Sequence, residues 1–360
     1  MKLIKKYYIT LIIIFYSFYS LLLILRSSFT INGVRHFVLF DDEMISMKYA
    51  NNFAHGFGLV WNQGTEKVEG FTNLLWTLYM ALFHLFPIPR EKISLVIQIS
   101  GMIFLAINIV FVKKIAEFIT NKSLLQVFLS VIFTAFYFPL NNWSVVLGTE
   151  VSILTLFTSI AVFLALKSVK EKKFSFLLYL ILGLGTLVRM DMVIPSLTII
   201  FFLLFVDKEN RINNLLFGLP FFFFFIFSQT LFRIWYYKEM LPNTYYLKLT
   251  GFPAFLRITR GIYVAFNFMS SVIFLIPLLL LKFKRNKYIL LLFAVFTSQL
   301  TYSIYIGGDV WEYFGGSNRY ISIVMPLFFV LFSAAFFEVY SYLNQTIKRT
   351  TILKIAATIF

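Results

Sequence analysis

The sequence predicts an all-α, polytopic membrane protein, a bundle of about 10–11 transmembrane helices with interfacial helices in its first outer loop. Three observations carry that prediction. Hydrophobic residues make up 60% of the chain and charged residues only 13%, with a mean hydropathy of +0.83, so the composition suits lipid rather than water. Apolar runs long enough to cross a hydrocarbon core of ~30 Å recur from end to end, and some, such as "PFFFFFIF" at 220–227, have no polar face. The formal charge of +16 sits in small basic clusters between those runs, as membrane loops carry it and as a nucleic-acid-binding face does not. The lipid bilayer is therefore an expected partner and nucleic acid is not.

The 47 Phe and 20 Tyr supply lipid-facing area. The absence of Cys excludes disulfides, iron–sulfur clusters and thiol catalysis, and His36, His55 and His84 lack metal-ligand spacing. His55 reads as a helix-end residue.

"MKLIKK" and the apolar run 7–25 read as a retained first span, because the run has the length to cross and no small-residue cleavage site follows. Further spans are expected at about 93–112, 123–140, 151–166, 174–188, 192–206, 213–232, 262–281, 288–306 and 320–340. Residues 72–89, "TNLLWTLYMALFHLFPIP", decide the topology. If they cross, "KSVKEKK" (167–173) and "KFKRNK" (282–287) fall on the opposite side from "MKLIKK"; if they lie along the interface, every basic cluster shares one side. The segment is short, holds His84 and ends in two prolines, so an interfacial or re-entrant helix is expected. More than half of the 32 Lys and Arg then face inward, with only Glu117, Glu171, Asp207, Glu209 and Glu338 of the 16 acids. Residues 1–340 form one transmembrane module, with 27–92 as its first outer loop. Residues 341–360 are expected to make a cytoplasmic turn and begin a further, truncated span.

The polar segments then gather on the outer face. They are 27–71, "NNWSVVLGTE" (141–150), "VRMD" (188–191), "RIWYYKEMLPNTYYLKLTG" (233–251) and "GGDVWEYFGGSNRY" (307–320). Such an asymmetry predicts a site built from loops on a rigid helical scaffold. In the first loop, Asp41 or Asp42 is expected to N-cap an amphipathic helix with the stripe Ile45, Tyr49 and Phe53, closed by Gly56. Capping needs one carboxylate; the other is available for general-base chemistry.

Several motifs occur in one order: "FDDEMISMKYANNFAHGFGLVWNQGTEKVEGFTNLLW", "LGTEVSILTLF", "LVRMDMVIP", "FRIWYYKEMLPNTYYLKL" and "GGDVWEYFGGSNRYISIVMP". Together they resemble the GT-C superfamily of membrane glycosyltransferases, and more narrowly the actinobacterial terminal arabinofuranosyltransferases and their bacterial relatives. The resemblance spans nearly the whole chain. It implies an aspartate of the first outer loop as catalytic base, polyprenyl-phosphate sugars as donors and interfacial helices in that loop. The chain departs from the pattern in two places: it stops at "KIAATIF", where relatives continue into further spans and an outer domain, and it has "LVRMDM" where they tend to have Arg-Pro-Asp/Glu-Gly.

A lipid-phosphate sugar carries its own leaving group. The enzyme has to deprotonate an acceptor hydroxyl, stabilise oxocarbenium-like charge and hold the departing phosphate. The expected base is Asp41, with Asp42 as the alternative or an acceptor-orienting partner, because partial burial after "FVLF" would raise the Asp41 pKa. Arg319, Lys248 and Arg189, each close to the outer end of a span, are the candidates for donor phosphate. Glu150 and Asp191 are candidate substrate contacts or helix caps; Asn243, Tyr245 and Tyr246 of "LPNTYY" and Asp309 of "GGD" complete the substrate set. No obligatory metal is expected, although paired aspartates can take Mg²⁺ or Mn²⁺. The expected activity is inverting transfer of a hexose or pentose to an envelope glycan or glycolipid. The expected location is the bacterial inner membrane, with a cytoplasmic N-terminus and the site facing the periplasm or exterior. A polysaccharide polymerase is the alternative enzyme, but would carry its large outer loop in the second half. A flippase or transporter would place ionisable residues and helix breaks at the midplane of repeated halves, and no internal repeat is seen.

Overall fold

Helix α1 (Lys2–Ser27) opens the chain as 26 residues, ~39 Å of helix and more than enough to cross a bilayer. The computed structural model describes residues 2–64, 66–243, 246, 253–283, 286–309, 312 and 318–359. After α1 comes a two-stranded hairpin, β1 (Phe29–Ile31) with β2 (Val34–His36). Its turn is Asn32–Gly33, both with positive φ (49° and 78°), the backbone that a tight two-residue hairpin needs. This small sheet is an addition to the expected all-helical fold.

Helix α2 (Asp41–Ala54) follows, then α3 (Leu74–His84), α4 (Arg90–Ile119), α5 (Leu124–Phe136) and α6 (Phe138–Asn141), which runs into a π turn at Asn142–Val146. The second half holds α7 (Val151–Glu171), α8 (Phe176–Val188), a 3₁₀ turn at Met190–Met192, α9 (Val193–Val206) and α10 (Leu219–Tyr237), entered through a π turn at Asn214–Gly218. It ends with α11 (Ala254–Ser271), α12 (Leu275–Phe283), α13 (Lys287–Ile306), the one-turn α14 (Arg319–Ser322) and α15 (Met325–Ile359).

Among the described residues, six helical stretches are long and apolar enough to cross a membrane, or eight with two bent pairs included. The expected straight span 123–140 is one of those pairs, bent by 47° between α5 and α6 where Pro139 cannot continue the hydrogen-bond ladder. The expected span 262–281 is bent by 83° between α11 and α12, at a Ser270–Ser271 pair followed by Ile273 in the left-handed region (φ 52°). Helices α8 and α9, 13 and 14 residues long, are shorter than a straight crossing. Helix α3, at 11 residues, is far too short to cross, in keeping with an interfacial element. The expected turn at 341 is absent: α15 stays helical to Ile359, with no Gly or Pro after Pro326 to stop it.

One apolar core runs through the bundle, with Ile97, Val112, Val131, Leu154, Leu166, Ile200, Phe296 and Val330 buried in it. At Gly101 a side chain would strike the Ser144 carbonyl; this glycine lets α4 seat against the π turn that carries Trp143. A second cluster of Tyr49, Leu59, Phe71 and Tyr237 fastens the loop between α2 and α3 to the end of α10.

Candidate functional site

Helix α2 starts one residue earlier than capping by an aspartate requires. Phe40 holds the N-cap position without any side-chain cap bond, and Asp41, Asp42 and Glu43 form the first turn. The two exposed aspartates therefore complement the helix dipole rather than cap it. Asp41 Oδ1 accepts the N–H of its neighbour Asp42 at 2.9 Å. Asp41 is exposed, not partly buried, and the burial expected there falls on Glu43, which is 1% exposed. The buried face of α2 is Glu43, Ser46, Met47 and Ala50, with Tyr49 and Asn52 beside it, while Phe53 of the expected stripe is exposed. At the other end Gly56 (φ 83°) follows the helix as expected.

Asp42 and Arg319, 277 residues apart, meet at 3.0 Å between Oδ2 and Nη1. Arg319 opens α14, which Asn318 caps by accepting the N–H groups of Tyr320 (2.9 Å) and Ile321 (3.1 Å). The Asn318 amide donates to Ser303 Oγ (2.7 Å) and Glu312 Oε1 (2.6 Å), so the start of α14 is locked to the end of α13. Asp309 Oδ2 accepts the backbone N–H of Arg319 at 3.0 Å and lies 3.4 Å from its Nε. The guanidinium sits over Trp143 and Tyr320, at 5.5 and 5.6 Å from the ring centroids. Burial alone would lower the Arg319 pKa, but Tyr320, Asp309, Asp42 and Glu150 more than reverse that, so the group stays charged.

Beneath this pair lies a buried polar cluster. Trp76 Nε1 donates to Glu43 Oε2 at 3.0 Å. Asn73 Nδ2 lies 3.4 Å from both Glu43 Oε2 and Glu150 Oε2, and Asn73 Oδ1 accepts from Ser46 (2.8 Å) and Thr77 (3.1 Å). Glu150 Oε1 accepts from Arg189 Nη1 at 2.8 Å, and Arg189 grips Asp191 with two bonds of 2.7 and 2.9 Å. Burial pushes the Glu43 carboxyl well above its ordinary range, and neighbouring Glu150 adds to the rise. Burial acts the same way on Glu150, but Arg189 and the hydrogen bond from Glu43 outweigh it and hold its carboxyl at about 2. Burial and the two neighbouring charges thus drive the carboxyls apart, Glu43 upward and Glu150 downward.

The fold therefore brings together Asp42, Glu150, Arg189, Asp191, Asp309 and Arg319 from the sequence-derived set, with Asp41 beside them. Glu150 and Asp191 make ion pairs with Arg189; Glu150 occupies the N-cap position of α7 without a side-chain cap bond. All three Arg189 nitrogens point at those carboxylates, so Arg189 organises the cluster from below. Asn243 and Tyr246 follow α10 and are exposed; Lys248 and Tyr245 lie outside the described residues. Glu43, Asn73, Trp76, Trp143 and Asn318 were not anticipated. The position of Glu43 one residue after the aspartates, in phase with Ser46, Met47 and Ala50, is the signal that a 100° rotation per residue would have supplied. Among the described residues no group of three or more His, Cys, Asp or Glu is placed to hold a metal ion.

The tail of the first loop is fastened beside this cluster. Glu69 accepts from Arg233 Nε with both oxygens at 2.9 Å. Tyr236 accepts the N–H of Leu59 (3.0 Å), and Tyr237 donates to the Leu59 carbonyl (2.8 Å).

Comparison with curated proteins and with solved structures gives no match. Residues 73–235, less than half of the chain, match the family model described as dolichyl-phosphate-mannose-protein mannosyltransferase. The matched segment holds Asn73, Trp76, Trp143, Glu150, Arg189 and Asp191, whereas Asp41, Asp42, Glu43 and Arg319 lie outside it. Together with the all-α fold and its membrane-spanning helices, the match supports a membrane glycosyltransferase of the GT-C type.

Proposed function

We propose that this chain transfers a sugar, a hexose or a pentose, from a polyprenyl-phosphate donor to an envelope glycan or glycolipid acceptor. The observation that carries the reading is the meeting of Asp42 and Arg319 above the buried Glu43–Glu150–Arg189 cluster. A carboxylate and a fixed cation at one point, at the end of an apolar bundle, are what attack on a lipid-phosphate sugar requires. The matched family's own name specifies a dolichyl-phosphate mannose donor and a protein acceptor, a lipid-linked donor of the same chemistry.

In this reading Arg319 binds the donor phosphate and Asp42 takes the proton of the acceptor hydroxyl. The acceptor oxygen bonds to the anomeric carbon as the bond from that carbon to the phosphate oxygen breaks, and the lipid phosphate leaves with the electron pair. Configuration inverts. Asp42 displaces Asp41 as the favoured base because it is the aspartate that faces Arg319; Asp41, bound to its neighbour's N–H, orients the turn. Glu150 and Asp191 act through Arg189 as positioning residues, and Asp309 fixes Arg319. Asn243, Tyr245 and Tyr246 stay candidate substrate contacts and Lys248 a candidate for the donor phosphate, on their sequence alone. The protein is placed in the bacterial inner membrane, N-terminus inward, with this end of the bundle facing the periplasm.

The test is transfer from labelled polyprenyl-phosphate hexoses and pentoses by the purified chain in lipid. Release of lipid phosphate with any of these donors is expected. Failure with all of them, by protein that remains folded, would overturn the reading. Arg319 supplies the cation, so transfer is expected to continue in EDTA, and strict dependence on Mg²⁺ or Mn²⁺ would add a metal to the mechanism.

A further inference from the structure

Two buried side chains on α10 have polar atoms that the site described above does not use. Gln229 and Arg233 are 2% and 1% exposed and stand one turn apart on the buried stripe that ends in Tyr237. Arg233 spends Nε on Glu69. Its Nη1 and Nη2, with Oε1 and Nε2 of Gln229, have no hydrogen-bond partner among the described residues. Buried polar atoms are normally paired, and an ionisable side chain within a spanning helix commonly marks a site.

Their position follows from how α10 packs. Tyr179 of α8 meets Asn214 (3.0 Å) and Gly218, and Gly183, four residues on, meets Phe225. The two helices thus run in the same direction. By helix rise, Gln229 and Arg233 stand level with the end of α8, where Arg189 and Asp191 lie. Glu69, which holds Arg233, is four residues before Asn73 of the carboxylate cluster.

The chemistry of the pair selects a ligand class. The two Nη groups offer four N–H donors, and the Gln229 amide both donates and accepts. The Arg233 charge is already balanced by Glu69, so an anion would add an uncompensated negative charge. A neutral molecule with closely spaced hydroxyls fits instead. Tyr237, one turn further along the same buried stripe, belongs to a cluster with Tyr49, Phe71, Phe232 and Tyr236, aromatic side chains of the kind that pack on the C–H face of a sugar.

We propose that Gln229 and Arg233 form a saccharide subsite next to the Asp42–Arg319 pair, which holds the acceptor sugar by its ring hydroxyls. Leu59 and Glu69 of the first loop are tied to α10 beside this pair. The assignment to the acceptor rests on the transfer reading; the binding of a sugar does not.

The experiment is saturation-transfer NMR on the full chain in detergent, with methyl glycosides of mannopyranose, glucopyranose, galactopyranose and arabinofuranose as probes. At least one is expected to bind. Gln229→Met keeps the side-chain shape and removes both hydrogen-bonding atoms; it is expected to weaken binding about tenfold or more without lowering the unfolding temperature. Should that variant not fold, Gln229→Asn, with the amide drawn back by one methylene, is expected to weaken binding in the same direction. No binding of any glycoside, or unaltered binding by the folded Gln229 variant, would overturn the subsite and leave ordered water as the partner of these atoms. Sugar binding without sugar transfer would count against the transfer reading and not against the subsite.

Discussion

Asp42 and Arg319 form an asymmetric pair: the carboxylate side chain is 50% exposed and the guanidinium only 12%. The cation is fixed and the base is accessible, as a site that grips phosphate and receives an acceptor from solvent needs. Arg319→Ala is expected to weaken binding of polyprenyl phosphate by about 1.5–3 kcal/mol, measured by titration of the reconstituted protein; unchanged affinity would remove Arg319 from the phosphate site. Burial and Glu150 favour the neutral form of the Glu43 carboxyl, so the neutral Glu43→Gln is expected to unfold close to the wild-type temperature. Glu43→Ala, which strands Trp76 Nε1, is expected to lose about 1–3 kcal/mol. The two carboxyls also act at opposite ends of the pH scale. The folded pKa of Glu43 is raised above an ordinary value of 4.5, so its contribution is full below that pH and is lost as pH rises through the raised value. Glu150 is depressed from 4.5 to about 2, so its contribution is present above 4.5 and is lost as pH falls towards 2. Unfolding temperature against pH should therefore flatten on its alkaline side in Glu43→Gln and on its acid side in Glu150→Gln. Sequence reading reached Asp42, Arg319, Asp309 and Arg189 because charges at span ends stand out in an apolar chain. It missed Glu43 because three adjacent acids look alike until helix rotation buries one.

At the scale of elements, the loop between α2 and α3 is held by one buried ion pair and two tyrosines of α10. Both partners of Glu69–Arg233 are almost wholly buried, and removing one leaves the other charge without compensation. Glu69→Ala is expected to destabilise this loop end by about 3–5 kcal/mol, seen as a lower unfolding temperature and faster hydrogen exchange in 58–70. An unchanged temperature would mean that the loop is held by its aromatic contacts alone. Hydropathy located most spans, since α1, α4, α7, α10, α13 and the first part of α15 are each continuous apolar helices of crossing length. It did not find the bends, because Pro139 and the Ser270–Ser271 pair interrupt the backbone ladder without changing the average hydropathy. The Asn32–Gly33 hairpin was legible from its turn residues but is too short to show a strand periodicity.

For the whole molecule, the basic clusters predict which face of the bundle is which, and the polar cluster lies at the opposite end. A cysteine at exposed Gln63 should react with an impermeant thiol reagent from outside the cell, and one at Lys172, whose side chain is 68% exposed, only after permeabilisation; the reverse pattern would invert the topology. The site itself was only partly visible in the sequence because it is assembled from five separate stretches around residues 42, 73, 150, 189 and 319. Which of those stretches touch is set by helix packing, not by spacing along the chain. In the proposed mechanism Asp42, held opposite Arg319, takes the acceptor proton. The most direct test of this step compares sugar transfer by Asp42→Asn and Asp41→Asn in the lipid-reconstituted protein. Asp42→Asn should lose transfer by about 10²–10⁴-fold while remaining folded, and Asp41→Asn should retain most of it. Full transfer by Asp42→Asn, or loss confined to Asp41→Asn, would remove Asp42 as the base.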